Sequence, residues 1–120
     1  KHPDFICIAT ANTYGTGANR IYAGRNQLDE ATLARFRIGL VEVDYDPTVE
    51  LKICPDAKLR NKLQSIRAKV RSNGLRRVVS TRFLKDAYKM QQAAGWSLDT
   101  IVATLFSGWS SDEIAKCATL

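Results

Sequence analysis

From Asp46 onward the chain is punctuated as helices and nothing else. Asp46-Pro47 is a helix start, an acid that can cap the first amides followed by Pro at a position that needs no N–H. The spacing predicts a short helix over Thr48 to Cys54. Pro55-Asp56 restarts a helix in which Leu59, Leu63, Ile66 and Val70 share one face at helical spacing. Asn73-Gly74 ends it, with Gly as the C-terminal cap. Arg76 to Val79 reads as a short extended link. Ser80 caps a helix over Thr81 to Ala94, and Gly95 closes it. Ser97 caps Leu98 to Phe106, with Leu98, Ile101, Val102 and Leu105 inward, and Gly108 stops it. Ser110 and Glu113 fit the S-x-x-E capping box of a last helix. A domain boundary follows at Asp46, with residues 47–120 forming an all-α unit.

Residues 1–46 read differently. Phe5 to Ala9 carries the β-formers Phe5, Ile6 and Ile8 with no charge, which suits a central strand covered on both faces. Thr10 to Asn26 is a long polar loop with Gly15, Gly17 and Gly24, and long loops in compact domains are often functional. Leu28 to Phe36 reads as a helix with Asp29 and Glu30 in its first turn, where the helix dipole favours acid. Ile38 to Val43 reads as a second strand, parallel to the first because a helix joins them. The expected fold is therefore an α/β piece followed by a helical bundle. The chain opens Lys-His-Pro-Asp directly before the first apolar run, so it reads as a segment of a longer protein.

The stretch Phe5 to Phe36 resembles the second half of the nucleotide-binding core of an AAA+ ATPase, in the MoxR-type and CobS-type branch near the dynein-related group. In that branch a strand F-x-x-x-A-T-x-N-T carries the sensor 1 Asn. A Gly-bearing loop, a Y-x-G step and a helix ending L-D-R-F follow. The matches are Phe5, Ala9-Thr10-Ala11-Asn12-Thr13, Gly15, Gly17, Tyr22-Ala23-Gly24 and Leu33-Ala34-Arg35-Phe36. Ala34 departs from the family's Asp. The resemblance implies an α/β fragment, the C-terminal part of a P-loop NTPase parallel-sheet core, over residues 1–46. It implies an all-α helical lid over 47–120.

It also implies roles. Asn12 corresponds to sensor 1, which positions the attacking water or the γ-phosphate. Arg35 corresponds to an arginine finger reaching a neighbouring subunit's nucleotide, where its guanidinium forks onto phosphate oxygens. Arg82, in Ser80-x-Arg82, corresponds to sensor 2 of the lid. Arg25, after Gly24, is a further nucleotide-binding candidate at a subunit boundary. Without the resemblance, Asn12 reads as a turn Asn bonding its own backbone. Arg35 then reads as a cation at a helix C-terminus, and Arg82 as one more basic residue.

The resemblance further implies ATP with Mg2+, a homo-oligomeric and hexameric ring, and a partner protein carrying a von Willebrand factor A domain, while the unpaired cysteines point to a reducing cytoplasm. No G-x-x-x-x-G-K-[ST] occurs in the chain, so the P-loop Lys and the Mg-binding acids are expected elsewhere and this segment alone is expected to be inactive.

Charge supplies an alternative. The net charge is +6, and between Asp56 and Lys89 the basic residues Lys58, Arg60, Lys62, Arg67, Lys69, Arg71, Arg76, Arg77, Arg82, Lys85 and Lys89 face only two acids, Asp56 and Asp86. Such a block can hold DNA or RNA by its phosphates, or be an ordinary solvated surface. No run of about eighteen apolar residues occurs, so no membrane span is expected. Cys7, Cys54 and Cys117 lack ligand spacing and the one His is His2, so free buried thiols and no metal site are expected.

Overall fold

Six helices run through the described residues, 2–11 and 29–118, of the computed structural model. They are α1 (Glu30–Phe36), α2 (Pro47–Ile53), α3 (Ala57–Ser72), α4 (Thr81–Ala94), α5 (Leu98–Leu105) and α6 (Ser111–Ala118). The chain divides into two units, Lys1–Val43 and Asp44–Leu120.

Each helix begins where a short polar side chain answers amides that the helix itself leaves unbonded. Asp29 accepts from the Thr32 amide at 2.9 Å, Asp46 from Thr48 at 2.7 Å and Asp56 from Leu59 at 2.9 Å. Ser80 accepts from Phe83 at 3.2 Å and Ser97 from Thr100 at 3.1 Å. At α6 the exchange is reciprocal. The Glu113 amide donates to Ser110 Oγ at 3.3 Å, and the Ser110 amide donates to Glu113 Oε2 at 2.8 Å. Gly95 closes α4 in the left-handed region, φ +65°, where a residue with a Cβ is strained.

The α/β expectation is corrected. Among the described residues every regular element is a helix, and there is no strand and no sheet. Residues 5–9 and 38–43, the two expected strands, have no paired neighbour there. A strand exists only by exchanging backbone hydrogen bonds with a partner. β-propensity is a preference for a half-buried pleated surface, and these residues have none to pack on. Ile8 is 85% exposed, Ile38 97% and Val43 89%. In the first unit α1 buries no residue. Cys7 is likewise exposed rather than buried.

The second unit holds the core. Leu59, Leu63, Ile66 and Val70 of α3 are buried with Leu84 and Ala87 of α4, Ile101 and Leu105 of α5, and Cys117 of α6. Cys54 and Val79, from the segments flanking α3, complete the cluster. Each fully buried aliphatic side chain contributes about 1.5–3 kcal/mol. α3 packs against α2, α4 and α6, and α2 packs against α4. The central helix thus organises the unit. Phe106 and Trp109 meet edge to face with ring centroids 5.1 Å apart beside this core.

Candidate functional site

Inside this unit lies a charged knot. Glu50 of α2 and Arg67 of α3 are both buried. Arg67 Nη2 donates to Glu50 Oε1 at 2.7 Å and Nη1 to Oε2 at 3.1 Å, the fork-to-carboxylate pairing that Arg favours. Gln64 Nε2 donates to Oε2 at 2.8 Å, and Thr81 Oγ1 donates to Oε1 at 2.7 Å. Arg67 Nε donates to the Val79 carbonyl at 2.7 Å. The Tyr45 ring covers the guanidinium, its centroid 3.6 Å from Cζ.

Burial pushes the Glu50 carboxyl up, but the hydrogen bonds from Arg67, Gln64 and Thr81 outweigh burial and hold it below its ordinary value. Glu50 is therefore ionised at neutral pH, and each of its oxygens already accepts two hydrogen bonds. It is saturated, so it is suited to holding elements together rather than to passing protons. The knot ties α2, α3, the link at Val79 and the first residue of α4.

The next residue is Arg82. It lies in the first turn of α4, is exposed, and makes no hydrogen bond or ion pair among the described residues. A cation there opposes the helix dipole, so helix stability does not account for it. Thr81 on one side is fixed to Glu50, and Ser80 before it caps the helix. The first turn that carries Arg82 is thus held at two consecutive residues.

A second ion pair joins the link between α3 and α4 to α6. Arg77 Nε and Nη2 donate to Glu113 Oε1 and Oε2 at 3.0 and 2.7 Å, and Nη2 also donates to the Gly108 carbonyl at 2.9 Å. The Trp109 ring lies 5.5 Å from the Arg77 Cζ. The Arg77 guanidinium and the Ser110 amide hold the Glu113 carboxyl down at about 2. Arg71 makes a paired contact with Asp44, at 2.5 and 3.3 Å, and lowers that carboxyl as well. Arg60 donates to the carbonyls of Cys54 and Pro55 at 2.8 and 3.2 Å.

The sequence-derived site residues are distributed as follows. Asn12 and Arg25 lie outside the described residues. Arg35 is exposed in the last turn of α1, in the first unit, without a hydrogen bond or ion pair among the described residues. Arg37, close by, is paired with Glu30. Arg82 belongs to the second unit. Two sets stand out within the basic block. Arg60, Arg67, Arg71 and Arg77 are engaged by internal partners. Arg82, Lys85 and Lys89 recur at i, i+3 and i+7 along α4 and are exposed.

The knot is what the sequence reading passed over. One signal could have found it. Arg67 follows Leu63 by four and precedes Val70 by three, so it sits within the apolar stripe of α3. A cation on a buried stripe demands a carboxylate partner. Glu50 gives no such sign, because a first-turn acid is ordinary at a helix start.

Among the described residues no group of three or more His, Cys, Asp or Glu could hold a metal ion. No described helix is long and apolar enough to cross a membrane. Comparisons with protein-family models, with curated proteins and with solved structures find no match.

Proposed function

We propose that this chain is the sensor and lid segment of an AAA+ ATPase, in which ATP binding and hydrolysis drive remodelling of a partner protein. The observation that carries the reading is Arg82. It is an exposed Arg in the first turn of a helix whose start is fixed by Ser80 and by the buried Glu50–Arg67 pair. A sensor in a lid needs a guanidinium free of internal partners and mounted on a rigid element, so that motion of the element moves the charge. Arg35, exposed at the end of α1, has the chemistry of a finger toward a second subunit. Asn12 completes the assignment from the sequence pattern, and Arg25 is a further phosphate contact.

In this reading the longer protein forms a homo-oligomeric ring, a hexamer. ATP and Mg2+ are held mainly by residues outside this segment, and the 120-residue chain alone does not hydrolyse ATP. A partner with a von Willebrand factor A domain receives the work. The test is ATP turnover by the longer protein with Asn12→Ala and Arg82→Ala. Both variants lose turnover, by about tenfold or more for each lost hydrogen bond to a charged group, and still bind nucleotide. Full turnover in either overturns the reading.

A second reading is favoured by one observation, the exposed Arg82, Lys85 and Lys89 on one face of α4. It makes the helical unit a DNA or RNA binder. Affinity for a fluorescent oligonucleotide would then fall steeply with salt. Salt-insensitive or absent binding removes this alternative.

A further inference from the structure

We infer that Thr81 is a positioning residue for Arg82, and that the buried Glu50–Arg67 pair is the anchor through which it acts. The inference rests on the ATPase reading and adds the device that fixes the sensor. Thr81 Oγ1 donates to Glu50 Oε1 at 2.7 Å, and the same oxygen accepts from Arg67 Nη2 at 2.7 Å. Arg67 Nε binds the Val79 carbonyl at 2.7 Å, two residues before Thr81. The backbone is therefore held on both sides of the Ser80 cap, at Val79 and at Thr81, by one buried guanidinium–carboxylate pair.

The elements so tied are distinct. Glu50 comes from α2, Arg67 and Gln64 from α3, and Thr81 from α4. A tilt of α2 or α3 therefore bears on the start of α4 through these bonds, which are costly to break because the ion pair is buried. The hydroxyl is the one link in the knot contributed by the α4 side chains. Its loss frees the first turn from the anchor while leaving the Glu50–Arg67 fork intact. Arg82 then samples more orientations, and misplacement of a charged group by about 1 Å costs up to roughly a hundredfold in rate.

The experiment is a double-mutant cycle in the longer ATPase with Thr81→Ala, Thr81→Ser, Arg82→Ala and the Thr81→Ala/Arg82→Ala pair. Alanine favours the helix, and circular dichroism checks that each variant is folded. Ser80→Ala, which removes only the amide cap, is a second route to the same loosening. The expected result is a kcat roughly tenfold to a hundredfold lower in Thr81→Ala, with KM for ATP within about twofold and recovery in Thr81→Ser. In the Arg82→Ala background Thr81→Ala costs no further turnover. Equal losses in both backgrounds, or no recovery with serine, overturn the positioning role and leave the ATPase reading standing. Full turnover in Arg82→Ala overturns the reading and the inference together.

Discussion

Glu50 and Arg67, seventeen residues apart, meet inside the helical unit as a forked ion pair at 2.7 and 3.1 Å. A buried pair of this kind is weak as a source of net stability but costly to break on one side. Arg67→Ala leaves a buried carboxylate without its counter-charge, held only by the neutral donors Gln64 and Thr81, and destabilises the unit by about 3–5 kcal/mol. The Glu50→Leu/Arg67→Met double variant costs much less than either single change. Urea unfolding followed by circular dichroism checks both. An Arg67→Ala cost under about 1 kcal/mol would show the pair to be solvated.

Acid has a defined effect. The Glu113, Glu50, Asp44 and Asp56 carboxyls all lie below their ordinary values, Glu113 at about 2. A carboxyl depressed by folding contributes stability above its unfolded pKa, and that stability is lost as pH falls through its folded pKa. The helical unit therefore loses stability from about pH 4.5 downward, and Glu113 contributes to the loss down to about pH 2. Carboxyl-carbon NMR titration reads Glu113 directly. In Glu113→Gln the acid limb of the stability curve is flatter. A Glu113 midpoint near the unperturbed value would contradict the Arg77 contact.

The thiols divide by burial. Cys7 is exposed, while Cys54 and Cys117 are fully buried and burial pushes both thiols up. A thiol reagent at pH 8 modifies Cys7 fast, and the other two only at the rate of unfolding. Addition of denaturant makes all three react together. Rapid reaction of Cys54 in the native chain would mean that the junction of α2 and α3 is open.

Backbone strain alone sets the effect at Gly95. Its φ is +65°, and a Cβ built there meets nothing within 4 Å. Gly95→Ala therefore destabilises through conformation and not through collision, by about 1–2 kcal/mol. Gly95→Asn costs less, because Asn tolerates this region. Thermal unfolding of the two variants separates them.

Sequence reading succeeded where the controlling physics is local. Asp46, Asp56, Ser80, Ser97 and Ser110 mark helix starts because a cap bonds amides two or three residues ahead. It failed at Phe5 to Ala9 and Ile38 to Val43, because strand formation depends on a partner that composition does not specify. It missed Glu50 with Arg67, because their meeting depends on how α2 packs on α3. The basic block looked uniform in sequence. Only packing separates Arg60, Arg67, Arg71 and Arg77, which have partners within the unit, from Arg82, which has none among the described residues.

The central claim is that this segment lends its arginines to a ring ATPase, and Arg35 tests it most directly. Wild-type longer protein is mixed with Arg35→Ala at a series of ratios, and ATP turnover is measured for each. Removal of an arginine finger costs roughly 10³ to 10⁵ in rate, and a finger that serves a neighbouring subunit also disables rings that contain both forms. The account predicts near-complete loss in pure Arg35→Ala and a fall steeper than the wild-type share in the mixtures. Turnover that tracks the wild-type share, or stays full at every ratio, contradicts it.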